Sequence, residues 1–211
     1  MWVFDIIQLA VILAVSIGMH EYAHAYVSYR LGDPTPKLQW RLTPNPLKHI
    51  DPIGFLMIFL IHFWRGKPVQ INPMYYKHPV KWELMTSLAW PAMNILLAIV
   101  GILIILLYSK IGWIAFTDIF MNNVDPMNSF WITFTYLNIA LAVFNLIPIF
   151  PLDGYRLIKM FWRKASDIME QYPMYSILWL ILILSLGSGV ISTVAMFIFN
   201  ILFTLLGQIF Y

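Results

Sequence analysis

The chain has 211 residues, of which 61% are hydrophobic and 11% charged, whereas a soluble domain carries roughly 25% charged residues. One aqueous core cannot hide that much apolar surface, so an ordinary soluble globule is excluded and lipid is the natural solvent. The net charge of +3 is small and its cations fall in short loops, which argues against a nucleic-acid partner; the absence of cysteine excludes disulfides and thiolate metal sites.

The first apolar segment, residues 4–29, carries Asp5 and no Lys or Arg before its apolar run. It lacks the basic start of a signal peptide and is expected to be a retained helix. Residues 32–52 follow as a polar, proline-rich loop. The apolar stretch 53–64 is short for a membrane span of roughly 20 residues. Residues 65–81 are polar again, and Lys67-Pro68-Val69-Gln70-Ile71-Asn72 alternates as a short strand would. Two long apolar segments come next, 84–108 and 130–147. The last, 175–210, is too long for one span, and Gly187-Ser188-Gly189 divides it into two helices joined by a turn. The expected fold is an all-α polytopic membrane protein of about five to six membrane helices, with a re-entrant or short segment and a possible small β element. Residues 1–165 form its core and 166–211 a C-terminal helical hairpin.

Basic residues orient the segments. Lys37, Arg41 and Lys48 mark the first loop, Arg65, Lys67, Lys77 and Lys81 the second, and Arg156, Lys159, Arg163 and Lys164 the loop after residue 147. All three read as cytoplasmic. The first two loops share a face only if 53–64 does not cross, so that segment is read as re-entrant, a form tolerated where protein covers the backbone.

His20-Glu21-Tyr22-Ala23-His24 is an H-E-x-x-H motif. Residues four apart share one helix face, so both imidazoles can reach one metal ion. Zinc accepts nitrogen ligands in a tetrahedral shell with one open position at catalytic sites, and Glu21 stands where a general base is needed. Ionisable groups inside an apolar helix are costly unless paired or metal-bound, which favours function over coincidence. A third ligand is required. Asp5 lies at the far end of the helix, Asp33 and Asp51 in prolyl loops, Asp118 and Asp125 in an external loop, and Glu170 in a charged stretch. Asp153 remains, after Pro148 and Pro151, which break the helix, and before Gly154, which permits a sharp turn. Glu83 is the rival ligand, and a plain turn or capping role is the alternative for Asp153. The charge-based topology puts His24 and Asp153 at similar depth near the cytoplasmic face.

These residues resemble the site-2 protease family of intramembrane zinc metalloproteases (peptidase family M50), particularly its compact prokaryotic members. His20 to Ala25 carries the first match. Asn145-Leu146-Ile147-Pro148-Ile149-Phe150-Pro151-Leu152-Asp153-Gly154 carries the second, an N-x-x-P-x-x-P-L-D-G pattern. Trp90-Pro91-Ala92-Met93-Asn94 is similar to a G-P-x-x-N motif, with Trp90 where glycine is usual, and the loop from Arg41 to Pro52 looks like that of the compact subgroup. The resemblance implies Zn2+ held by His20, His24 and Asp153, with Glu21 as general base and Asn145 at the substrate carbonyl or developing oxyanion. It adds Asn94 as a candidate substrate contact.

The substrates expected are transmembrane helices of other proteins, cleaved within the lipid bilayer. A helix hides its peptide bonds, so such a substrate must locally extend, and Val69, Gln70 and Ile71 could pair with it. The expected location is a prokaryotic inner membrane, multi-pass, with the active site toward the cytoplasm. The alternative function is a metal-ion transporter or channel using His20 and His24. His49, His62 and His78 lack ligand spacing, although His49 could approach the site from its loop.

Overall fold

A computed structural model describes residues 2–49, 51, 68–111 and 126–210. Seven α-helices form among them. Helix α1 (Trp2–Arg30) has Asp5 in its first turn and Arg30 in its last, the polarity a helix dipole favours. It stops at Gly32, whose φ of +103° is the left-handed conformation glycine adopts without strain. Pro34 then forbids continuation, and α2 (Thr35–Leu38) is a single turn. Two 3-10 turns follow, Pro46–Lys48 and Pro73–Tyr75, each opened by an asparagine whose side chain accepts the N–H two residues on. The long helices are α3 (Pro79–Lys110), α4 (Pro126–Asn145) and α7 (Pro173–Phe210). Between the last two lie α5 (Tyr155–Phe161) and α6 (Arg163–Gln171).

Three stretches are long and apolar enough to cross a membrane: Phe4–Arg30, Pro79–Lys110 and Gly189–Phe210. A fourth counts if α6 and Pro173–Ser185, bent by 99°, act as one broken span. By length and composition the described residues offer three or four spans, which does not confirm the five to six expected. The segment 53–64 lies outside the described residues. The turn expected at Gly187–Gly189 does not form, and α7 runs through it as one 38-residue helix. Each helical glycine costs only about 1 kcal/mol, and a break in apolar surroundings would strand several backbone groups at greater cost. The expected strand at 67–72 is also absent among the described residues. Pro68 has no N–H, and the N–H groups of Val69 and Asn72 donate to the carboxylates of Glu21 and Asp33 instead of to a neighbouring strand.

Packing divides the chain into two units. One comprises residues 1–93 and 145–177, the other 94–144 and 178–211. The second is built around Ala98, Ile102, Ile105 and Leu106 of α3, Ile139 of α4, and Ala195, Phe199 and Phe203 of α7. Small residues set its spacing: a Cβ on Gly101 would fall 2.2 Å from Thr135 Oγ1. Close approach of this kind gives dispersion contacts where lipid supplies no hydrophobic drive. In the first unit α1 is inverted relative to a soluble helix. Phe4, Ile7 and Val11 are exposed, while Ser16, Glu21 and Ser28 are buried, so the polar stripe faces protein and the apolar one lipid. The loop after α2 returns to α1, where Pro46 lies so close to Gly18 that a Cβ there would sit 2.7 Å from the proline Cα.

Candidate active site

The site lies wholly within the first unit. The i,i+4 spacing on α1 brings the His20 and His24 rings to 4.8 Å between centroids, edge to face. Asp153 comes from the turn after α4. Gly154 N–H donates to Asn145 O at 2.7 Å and Leu152 N–H to Ile149 O at 2.8 Å, folding the Asn145–Gly154 segment back on itself. A Cβ on Gly154 would meet Leu146 O at 2.4 Å, so this fold of the turn requires glycine. The turn delivers Asp153 Oδ2 to 3.2 Å from His24 Nε2.

Each histidine is held from behind. His24 Nδ1 lies 2.8 Å from Thr86 O on α3. A carbonyl only accepts, so Nδ1 carries a proton there, and Nε2 is the nitrogen turned toward Asp153. Pro91, inside α3, lacks the N–H that would meet Ser87 O, the carbonyl next to that of Thr86. His20 is held by packing: the Trp90 ring meets it edge-on at 3.8 Å between centroids. Trp90, where the motif usually has glycine, thus forms a wall for the first histidine. Glu21 lies with Oε1 3.3 Å from His20 Nε2, and its Oε2 accepts the Val69 N–H at 2.7 Å.

Behind this layer runs a buried hydroxyl chain. Ser28 gives its one proton to Asp33 Oδ2 at 2.8 Å, so Tyr76 must donate to Ser28 at 2.7 Å; Tyr76 also meets Thr86 Oγ1 at 3.1 Å. The chain ties α1, the 68–76 segment and α3 together. Glu83 closes the other side. Its buried carboxylate pairs with Arg156, and Lys159 Nζ lies at 3.6 Å. Because Arg156 follows Asp153 by three residues, this pair fastens the Asp153 turn to the start of α3. Glu83 is thereby committed to two cations and stands outside the ligand cluster, against its reading as the rival third ligand.

The donor set fits a divalent metal. One ligand atom each from His20, His24 and Asp153 lies within 4.8 Å of the others. His24 Nε2 and Asp153 Oδ2 lie 3.2 Å apart, and roughly 3.3 Å is the spacing of two tetrahedral zinc ligands at the usual bond lengths. The carbonyl behind His24 is the support that metal-bound imidazoles use. Of the other expected residues, Asn145 opens the Asp153 turn, and Val69 touches Glu21 while Gln70 receives a hydrogen bond from Gln39. Asn94 belongs to the second unit, where it donates to Asn138 Oδ1 at 3.2 Å. Sequence reasoning missed Thr86 and the Asp33–Ser28–Tyr76 chain, and met Trp90 only as a departure from the motif.

An apolar spanning helix that carries two histidines and a glutamate, met by an aspartate from a broken helix end, defines a membrane-embedded metallohydrolase. The chain belongs to peptidase family M50, whose profile matches residues 8–186. YwhC of Bacillus subtilis is 41% identical over 151 residues, which cover 72% of this chain and 67% of that protein. Rip2 of Mycolicibacterium smegmatis is 30% identical over 153 residues, 67% of this chain and 52% of that one. The zinc metalloprotease MJ0392 of Methanocaldococcus jannaschii is 27% identical over 162 residues, 77% and 36%. The first two are named as candidate zinc metalloproteases. No solved structure matches the chain significantly. The protein is an integral membrane zinc metalloprotease of the site-2 protease family.

Proposed function

We propose that this protein hydrolyses peptide bonds in or near the transmembrane segments of other proteins, with His20, His24 and Asp153 holding zinc and Glu21 as general base. The observation that carries the reading is the position of His20 and His24, with Asp153 beside them, on an apolar helix long enough to cross a membrane. Zinc, when bound, supplies Lewis-acid polarisation and acidifies water. Glu21 takes the proton from the attacking water and returns it to the leaving amine. Its Oε1 faces His20 and its Oε2 is held by Val69 N–H, which fixes the carboxylate before substrate arrives. Asn145 donates its side-chain amide to the scissile carbonyl as negative charge develops, an interaction strong in a dry site. The Val69 N–H contact with Glu21 supports an extended substrate lying along Val69, Gln70 and Ile71. Residues 1–165 act as the catalytic core. The basic loops orient the site toward the cytoplasmic face of a prokaryotic inner membrane.

The test is cleavage of single-span membrane proteins in reconstituted vesicles by wild type and Glu21→Gln, with zinc measured in both. The expected result is cleavage by wild type alone, with equal zinc. Equal cleavage by the variant would remove Glu21 from the mechanism, and zinc retained in Asp153→Ala would remove the third ligand. Zinc flux across the vesicle wall that persists in Glu21→Gln without proteolysis would favour transport.

A further inference from the structure

Lys37, Leu38, Trp40, Leu42, Thr43 and Lys48 line a cleft of about 920 Å³ in the loop that packs on α1. Its size is that of a site for a small molecule. Both lysines are exposed, and among the described residues neither forms an ion pair with a carboxylate. Lys37 lies over the Tyr29 ring, 5.5 Å from its centroid, and donates to the Tyr29 hydroxyl at 3.5 Å. Lys48 is tied through its backbone carbonyl, which accepts from Arg41.

Trp40 is 83% exposed and Leu38 73%, so the cleft sets bare apolar surface beside two cations. Trp40 also stands in the left-handed conformation, with φ +57°. Its N–H donates to Lys37 O at 3.0 Å, and the Arg41 N–H to Pro36 O at 2.9 Å. These paired bonds close α2 with a cap at which glycine is the usual residue. A β-carbon is penalised there and glycine is not. The chain thus accepts backbone strain to hold an indole in the open, and strain of this kind marks a site that something else occupies.

Depth identifies the chemistry of that occupant. Lys37 meets Tyr29, next to the end of the span Phe4–Arg30, and Pro46 of the same loop lies against Gly18. Tyr29 and Gly18 are about 16 Å apart along α1 at 1.5 Å per residue, about half of a hydrocarbon core roughly 30 Å thick. The loop therefore starts at headgroup level and runs down one leaflet. Tryptophan and lysine are side chains that favour this boundary. We infer that the cleft binds an anionic phospholipid, with its phosphate between Lys37 and Lys48 and its glycerol and upper acyl chain against Leu38, Trp40 and Leu42.

The test exploits a chain without cysteine. Leu47, exposed and adjacent to Lys48, is replaced by cysteine and labelled with a fluorophore in the full chain in neutral detergent. Spin-labelled phosphatidylglycerol and spin-labelled phosphatidylcholine are titrated as quenchers. Phosphatidylglycerol should reach half-quenching at about one tenth of the phosphatidylcholine concentration. Lys37→Gln combined with Lys48→Gln should leave Tm unchanged and bring the two lipids within about twofold of each other. Trp40→Gly suits the left-handed backbone, so Tm should not fall, while phosphatidylglycerol binding weakens about threefold. Equal quenching by both lipids in wild type, or a preference for phosphatidylglycerol that survives the double lysine variant, would overturn the site. Unchanged binding in Trp40→Gly, or a lowered Tm there, would overturn the role given to the indole. Glycerol 3-phosphate should not relieve the quenching; relief would make the cleft a site for free phosphate and refute the lipid.

Discussion

Replacing Glu83 by glutamine tests how the Asp153 turn is held. The glutamate side chain is 7% exposed, and Glu83→Gln keeps its shape while removing its charge, leaving Arg156 and Lys159 without an anion there. Burial, and then the neighbouring Arg156, already hold Lys159 below the ordinary lysine value, so two crowded cations face a neutral amide. Removing one partner of a fully buried pair costs about 3–5 kcal/mol. Arg156 and Lys159 keep 26% and 29% of their side-chain surface, and screening by water lowers the figure to about 2 kcal/mol. For a chain of this size each kcal/mol moves Tm by roughly 2–4 °C, so a fall of about 4–8 °C is expected. Tryptophan fluorescence during heating in detergent measures it. Zinc should remain near one ion per chain, because Glu83 is a clamp and not a ligand. Loss of zinc at unchanged Tm would make Glu83 a ligand and refute this account; unchanged Tm and zinc together would show the clamp to be idle.

Two further outcomes follow from the geometry. Gly154→Ala places a Cβ 2.4 Å from Leu146 O, so the turn must open and Asp153 withdraw; zinc stoichiometry should fall well below one, whereas Gly207→Ala, with open space around the Cβ, should leave it unchanged. For Asp33, burial alone would raise the carboxyl pKa, but hydrogen bonds from Thr35, Asn72 and Ser28 hold it below the ordinary value. A depressed folded pKa stabilises above the unfolded value of about 3.9 and is lost as pH falls through the folded one. The Tm advantage of wild type over Asp33→Asn should therefore be constant from about pH 5 to 7 and shrink in more acid solution; an advantage that grew with acid would reverse the sign.

Much of this protein was legible from local pattern. Hydropathy located α1 and α3 to within a few residues, because a bilayer demands long uninterrupted apolar helices whatever they pack against. The H-E-x-x-H spacing put two imidazoles on one helix face, and a chain so poor in carboxylates left few third ligands to weigh. Where local signals competed with the medium, the medium won: Gly187 and Gly189 sit inside a continuous helix, because apolar surroundings penalise an open backbone more than helical glycine costs.

What only the tertiary structure decided is which groups meet across the sequence. Thr86 O supports His24 from 62 residues away and Val69 N–H holds Glu21 from 48. Every residue but proline carries the same N–H and C=O, so no residue type marks these two. Glu83 and Asp153 were both carboxylates near a helix end. Arg156, brought alongside by the turn, made one a clamp and left the other facing His24. Composition and spacing thus determined the chemistry available and the helix that carries it; the packing of loops and turns against that helix determined which carboxylate faces the histidines and which holds the turn in place.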